Sequence, residues 1–318
     1  MENIKFLKDL DKDSVNEAGG KGASLGEMYS SKIPVPNAFV VLSSVFDRFL
    51  IENNLNKEIN SILKKINTKE LQTIEKASKD IQSLIQSKEI SNELSKEIIS
   101  SFKKLKTKFV AVRSSATSED SKSDAWAGQL DTYLNTTEKN LIKNVKNCWA
   151  SLFTERAIFY RFEKKLNNTK VSVAVVIQKM VNSEKSGIAF SVHPVTENPN
   201  QLIIEAGYGL GEAIVSGSIT PDSYVVSKKP HKILDISVAS QTKALYRCLR
   251  RGVKWKKLTK KLGNSQVLSE KQILSLSNLI QRIEKHYGFP VDVEWAIENN
   301  KIYITQSRPI TTLKKKYK

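Results

Sequence analysis

Apolar and polar positions alternate most clearly near the end of the chain. Val291, Val293, Trp295 and Ile297 are apolar, and Asp292, Glu294 and Ala296 lie between them. A period of two predicts a strand with both carboxylates on one face. Asn299-Asn300 follows as a turn signal, because Asn tolerates positive φ. A second strand runs from Ile302 to Arg308 and ends at Pro309, which has no N–H for a ladder. A two-residue turn at Asn299-Asn300 pairs Ile297 with Ile302 and sends Glu294 and Gln306 to opposite sides. A three-residue loop, Glu298 to Asn300 with Asn300 left-handed, pairs Asp292 with Gln306 instead. It gathers Asp292, Glu294, Gln306 and Arg308 on one face, and it or an equivalent bulge is the expected form. Two acids, an amide and an arginine suit a metal–phosphate site, since Mg²⁺ takes oxygen ligands and Arg grips phosphate with a fixed fork. An ordinary amphipathic hairpin with its polar face in water has the same pattern.

The same reading applies upstream. Gly19-Gly20-Lys21-Gly22 opens a helix. Closely spaced glycines let backbone N–H groups approach an anion, and Lys21 adds a charge. Tight helix packing explains the glycines equally well, and no Walker A loop is present. From Ser43 to Lys106 the period is helical, with Leu71, Ile74, Ile81, Leu84 and Ile85 on one side. Phe109 onward is a buried strand bearing Arg113, placed either for phosphate or simply at a strand end. Gly128 allows close ligand approach or a turn, and Thr132 lies on a short strand. Glu138 to Phe162 reads as one helix. Val171 to Gln178 is an apolar strand, and Gln178-Lys-Met-Val is an adenine hinge or a strand exit. His193, before Pro194, is read as structural rather than nucleophilic. Gly207, Gly209 and Gly211 form a turn that does not fit the dinucleotide fingerprint. Residues 240 to 265 are basic and weakly patterned, and are read as a mobile loop. Ser269 is expected to cap a helix reaching His286.

Composition narrows the classes. The chain has 318 residues, 40% hydrophobic and 26% charged, enough for two or three lobes. No run approaches membrane-spanning length and no apolar signal region opens the chain. Cys148 and Cys248 stand without paired motifs, which points to a cytoplasmic setting. The net charge of +18 attracts polyanions. Its lysines are scattered, whereas nucleic-acid readers cluster Arg with exposed aromatics. Only Arg247 to Lys257 and the tail from Lys314 are clustered, so nucleic acid is not the expected main partner.

Taken in order, seven segments resemble one family: Gly19–Met28, Val112–Asp120, Ala127–Thr132, Ser186–Phe190, Glu205–Glu212, Pro221–Tyr224, and Val291–Ala296 with Gln306–Thr311. They look like the N-terminal nucleotide-binding region of phosphoenolpyruvate synthase and pyruvate, phosphate dikinase. Rifampicin phosphotransferase and phenylphosphate synthase share this module. The resemblance implies an α+β, ATP-grasp fold in which two lobes hold ATP. Residues 1–200 are expected to form the N-terminal lobe with the Gly-Gly-Lys loop and a helical insertion. Residues 201–318 are expected to form the C-terminal lobe with the hairpin. It implies ATP and Mg²⁺ as cofactors. Lys21, Arg113 and Arg308 would be catalytic phosphate-binding cations, and Glu294 and Gln306 metal ligands. Gly128 and Thr132 would lie in the loop over the phosphates, and Gln178 at the adenine hinge. Asp292 would support the metal site, and Glu205 would contribute. Asn37-Ala38-Phe39 departs from the family's Pro-Gly-Phe, and Val291 stands where Gln is common. None of His193, His231 and His286 lies in a context like the family's carrier histidine, so the implied partner is a phosphohistidine carrier domain or subunit. The activity implied is ATP-dependent transfer of a (pyro)phosphoryl group to that histidine and on to pyruvate or a similar acceptor, with AMP and phosphate as by-products. The alternative is a solitary non-catalytic ATP-binding module or the ATP-binding part of a related phosphotransferase, phenylphosphate synthase-like or rifampicin phosphotransferase-like.

Overall fold

The structure, a computed structural model, describes residues 2–117, 120–121, 124–125, 130–164, 166, 171–248 and 252–313. It is a mixed α+β chain in two compact units, Met1–Glu27 with Asn37–Met180, and Met28–Pro36 with Val181–Lys318.

The main sheet of the first unit has five strands: β1 (Ile4–Phe6), β2 (Ala38–Val41), β3 (Val110–Ala116), β4 (Thr132–Thr136) and β5 (Val173–Lys179). They pair antiparallel in the order β1-β2-β5-β3-β4. β2, β3 and all but the last residue of β5 are buried, as their β-branched runs require. Helix α1 (Val15–Ser30) is broken at Gly19, where φ is 68°. The helical region becomes α2 (Ser43–Glu52), α3 (Leu55–Leu63), α4 (Leu71–Ser87) and α5 (Asn92–Lys104). The helix expected over Glu138 to Phe162 is two, α6 (Glu138–Ala150) and α7 (Glu155–Glu163). The break comes at Thr154, whose side chain accepts from the Ala157 N–H and caps the second helix. α6 packs on the Ser114 face of β3, where the Ser114 hydroxyl meets Ser151 Oγ at 2.8 Å and Cys148 O at 3.3 Å. Arg113 faces the other way by the strand's alternation.

The second unit is a six-stranded antiparallel sheet. Its strands are β6 (Lys185–Phe190), β7 (Gln201–Tyr208), β8 (Asp222–Ser227), β9 (Lys232–Ser237), β12 (Val291–Glu298) and β13 (Lys301–Pro309). Their order is β9-β8-β7-β6-β12-β13. β6, which the expected division at residue 200 places in the first lobe, thus pairs in this sheet. A short helix, α8 (Glu212–Val215), follows β7. The stretch read as a mobile loop forms a separate ribbon, β10 (Lys243–Arg247) with β11 (Val253–Lys257), and a short helix, α9 (Lys260–Gly263). The ribbon is anchored to the Gly-rich turn: Leu210 N–H donates to Leu245 O at 2.8 Å. Gly209 has φ 80°, and a Cβ there would come within 2.2 Å of that same carbonyl.

Helix α10 (Glu270–Tyr287) carries the capping box of Ser269 and Gln272 and buries Ile273, Leu276, Ile280 and Ile283. Glu284 takes Ser191 Oγ at 2.9 Å and Lys228 Nζ at 2.6 Å, which fixes the helix on the Val291–Val293–Trp295 side of the sheet. The Pro221–Tyr224 segment has a structural role. Asp222 is fully buried and accepts from Tyr224 Oη, Ala239 N and Val267 N at 2.8 to 3.0 Å. Among the described residues no helix is long and apolar enough to cross a membrane.

Candidate functional site

The candidate residues fall on one sheet face in each unit. In the first, Arg113 pairs with Thr132 on β4 and with Val176 on β5, and Ala111 pairs with Gln178. Directly paired residues share a face. Arg113, Thr132 and Gln178 therefore lie on the side away from α6. Arg113 Nη1 donates to Gln178 Oε1 at 2.9 Å, with both side chains buried, at 6% and 3% exposure. A guanidinium so held has lost rotamer freedom before any ligand arrives, which favours an anion-binding role over a plain strand end.

Lys21 reaches the same face through Ser115, two residues beyond Arg113. The Lys21 and Gly22 N–H groups donate to Ser115 Oγ at 3.1 and 3.3 Å. Gly19 is required there, because a Cβ would come within 2.2 Å of that oxygen. Both readings of the glycine loop are thus informed. It packs tightly, and two of its N–H groups are committed to Ser115, which lies on the Arg113 side of the strand. Ser115 lies within the Val112–Asp120 segment, but only the fold shows that it holds the loop. At the proposed hinge, Lys179 and Met180 N–H donate to Asn37 O and Phe109 O. Those two donors serve the strand exit. Gly128 lies outside the described residues.

In the second unit the hairpin turn has two residues, with Asn299 and Asn300 both left-handed at φ 50° and 61°. Ile297 pairs with Ile302, so the three-residue loop does not form. A bulge replaces it: Trp295 pairs with Ile304 but Glu294 with Gln306, leaving Thr305 as the extra residue. Beyond it Asp292 pairs with Arg308, and all four polar residues share the face. The face is as expected, and the register differs by the position of the inserted residue.

The row continues across the sheet, Gln306 beside Glu294, then Ile188, then Glu205. Arg308 Nε and Nη2 both reach Asp292 Oδ2, at 2.8 and 2.6 Å. Burial raises the Asp292 carboxyl above its ordinary 3.8, with Arg308 pulling it back. Burial also raises Glu205. Asp292 is thus paired with the arginine, and Glu294 and Gln306 stand directly opposite each other on the same face, an acid beside an amide. That donor set fits Mg²⁺, which takes one or two protein oxygens and completes its shell with water and phosphate. Among the described residues no three His, Cys, Asp or Glu cluster as a metal cage.

Other candidates separate from this chemistry. His193 Nδ1 accepts the Val195 and Thr196 N–H groups, so the ring caps a turn. Cys148 is buried and its thiol is pushed up to about 12, which removes it as a nucleophile. A cavity along α4, lined by Gln72, Lys76, Gln82 and Glu155, contains none of the candidate residues.

The family model described as pyruvate phosphate dikinase, AMP/ATP-binding domain, matches residues 15–318. The chain belongs to this family. It is 44% identical to a probable phosphoenolpyruvate synthase of Methanocaldococcus jannaschii, over 99% of this chain and 27% of that protein. It is 45% identical to the probable phosphoenolpyruvate synthase of Archaeoglobus fulgidus, over 99% of this chain and 42% of that protein. It is 38% identical to rifampicin phosphotransferase of Bacillus cereus, over 96% of this chain and 36% of that protein. The chain therefore spans less than half the length of these relatives. The family to which the chain belongs is thus an AMP/ATP-binding domain, and its relatives here are named phosphoenolpyruvate synthase and rifampicin phosphotransferase.

Proposed function

We propose that the chain is the ATP-binding component of a phosphoenolpyruvate synthase-like dikinase. It binds Mg-ATP in the ATP-grasp manner and transfers a pyrophosphoryl group to a histidine on a carrier domain or subunit, releasing AMP; loss of phosphate leaves a phosphohistidine that passes its phosphoryl group to pyruvate or a similar acceptor. The observation that carries this reading is the single polar face on which Glu294 pairs with Gln306 and Asp292 with Arg308. A water-facing hairpin has no reason to spend a bulge on aligning them or to bury Asp292 and Gln306.

The residues have separable tasks. Lys21 and Arg113 hold phosphate oxygens, Arg113 pre-aimed by Gln178. Thr132 stands at the exposed end of the Arg113 row, suited to a hydroxyl contact with phosphate. Glu294 and Gln306 hold Mg²⁺, which when bound neutralises charge on the phosphates. Arg308, steered by Asp292, meets the negative charge that develops as the histidine nitrogen bonds to the β-phosphorus and the bond to AMP breaks. Such a transfer needs placement and charge neutralisation more than covalent help from the protein.

Glu294→Ala tests the assignment. The variant is expected to keep its circular dichroism spectrum while losing AMP formation and histidine phosphorylation by at least about a hundredfold, the scale of removing a principal electrostatic group. A normal rate of carrier phosphorylation would remove Glu294 from the metal site.

A further inference from the structure

The ribbon β10–β11 concentrates charge that the phosphotransfer reading leaves unused. Between Thr242 and Gly263 the sequence holds nine Lys or Arg and no Asp or Glu, half the magnitude of the net +18. Lys243 stands directly opposite Lys257. Like charges so placed oppose the pairing unless an anion lies over them. β10 leans on the Gly-rich turn, whereas β11 is the outer strand of a two-stranded sheet. Its Lys254, Trp255, Lys256 and Lys257 are all exposed. Trp255 is 43% exposed, and Lys243 Nζ sits 4.5 Å from its ring centroid. Lys256 Nζ lies 5.2 Å from the Tyr246 ring. Cation and aromatic surface therefore coincide twice on one small ribbon.

We propose that this ribbon is a secondary binding surface for single-stranded nucleic acid, tracked along β11. Two features select that ligand over an acidic protein. The exposed indole offers a face on which any base stacks. Lys257, two residues along β11 from Trp255, and Lys243, paired with Lys257, share the indole's face, so cations and stacking surface can meet one extended backbone together. The lysines scattered over the helices do not satisfy the requirement for clustered cations interleaved with exposed aromatics. This ribbon does.

The test uses the whole 318-residue chain and a labelled oligothymidylate of about twelve nucleotides, followed by fluorescence anisotropy from about 50 mM salt upward. Wild type is expected to bind with an affinity that falls steeply with salt. Lys243→Gln with Lys257→Gln should lower the slope of log K against log salt by about 1.4, at about 0.7 per phosphate contact in single strands. Trp255→Ala should weaken binding roughly tenfold with the slope unchanged. All three positions are exposed, so an unchanged circular dichroism spectrum is expected. Lys65→Gln with Lys69→Gln, on the first unit, is the control for diffuse charge. The proposal is overturned if the oligonucleotide does not bind or the ribbon variants bind like wild type. It is equally overturned if the control pair loses as much, or if poly-glutamate displaces the oligonucleotide as well as unlabelled oligothymidylate does, which would assign the surface to an acidic protein.

Discussion

Asp292 is held between two opposing influences. Removal from water raises its pKa, and the Arg308 guanidinium lowers it, with burial the larger. A carboxyl whose folded pKa exceeds its unfolded value binds protons more tightly in the native state. Its contribution to stability therefore falls as pH rises from about 3.8 through the folded pKa, and stays reduced above it. Asp292→Asn removes that titration but also weakens the pair with Arg308. The stability of the variant relative to wild type should thus climb with pH across this window, whatever the constant offset. Urea unfolding between about pH 4 and pH 7 measures it. A flat difference would show that Asp292 is not held out of water. At this scale the sequence was readable in kind, since the acid, amide and arginine stood out by alternation. The Arg113–Gln178 bond and the Ser115 contact to the Lys21 loop were not. They join positions 65 and 94 residues apart, and no local pattern encodes such a pairing.

Among the elements, the β12–β13 hairpin shows how one residue sets a site. Its turn alone would put Glu294 and Gln306 on opposite faces, and Thr305 corrects this by adding a residue to one strand. Deleting Thr305 should leave Lys301–Ile304 paired as before and bring Gln306 opposite Glu294 in a regular ladder without the bulge, so that Gln306 and Arg308 keep the face of Glu294 and Asp292. The expected result is retained Mg-ATP binding by calorimetry. Loss of binding would mean that the bulge provides more than the alignment of the four residues. The face was legible because parity follows from a simple count. The choice between a longer loop and a bulge was not, since both give the same parity and Asn-Asn suits either. The ribbon β10–β11 was missed for a different reason. Its stability comes from a carbonyl contact to Gly209 and Leu210, which a hydrophobic period cannot reveal.

For the whole molecule, the consequential feature is that the chain is not divided at one point. Met28–Pro36 belongs to the second unit, yet the sequence on either side builds the first. Within the second unit Ile304 N–H donates to Pro34 O at 2.8 Å, and Arg282 Nη2 and His286 meet Ser31. Met28, Ile33 and Val35 are buried. A linear boundary drawn from composition cannot anticipate this, because nine residues are too few to carry a period of their own. Fragments cut at the Met180–Val181 junction should therefore both be impaired. Residues 1–180 keep the apolar segment without its partner unit, and residues 181–318 keep the partner without the segment. Each is expected to bind anilinonaphthalene sulfonate strongly and to unfold with a smaller denaturant slope than its length implies. A peptide spanning residues 27–37 should suppress the dye signal of the 181–318 fragment, because it restores Pro34 O to Ile304 and covers the apolar surface with Ile33 and Val35. The same peptide with Ile33→Asp should not, since a charge at a buried position costs several kcal/mol. If the 181–318 fragment neither binds dye nor responds to the peptide, the segment is an ornament of that unit and not part of its core.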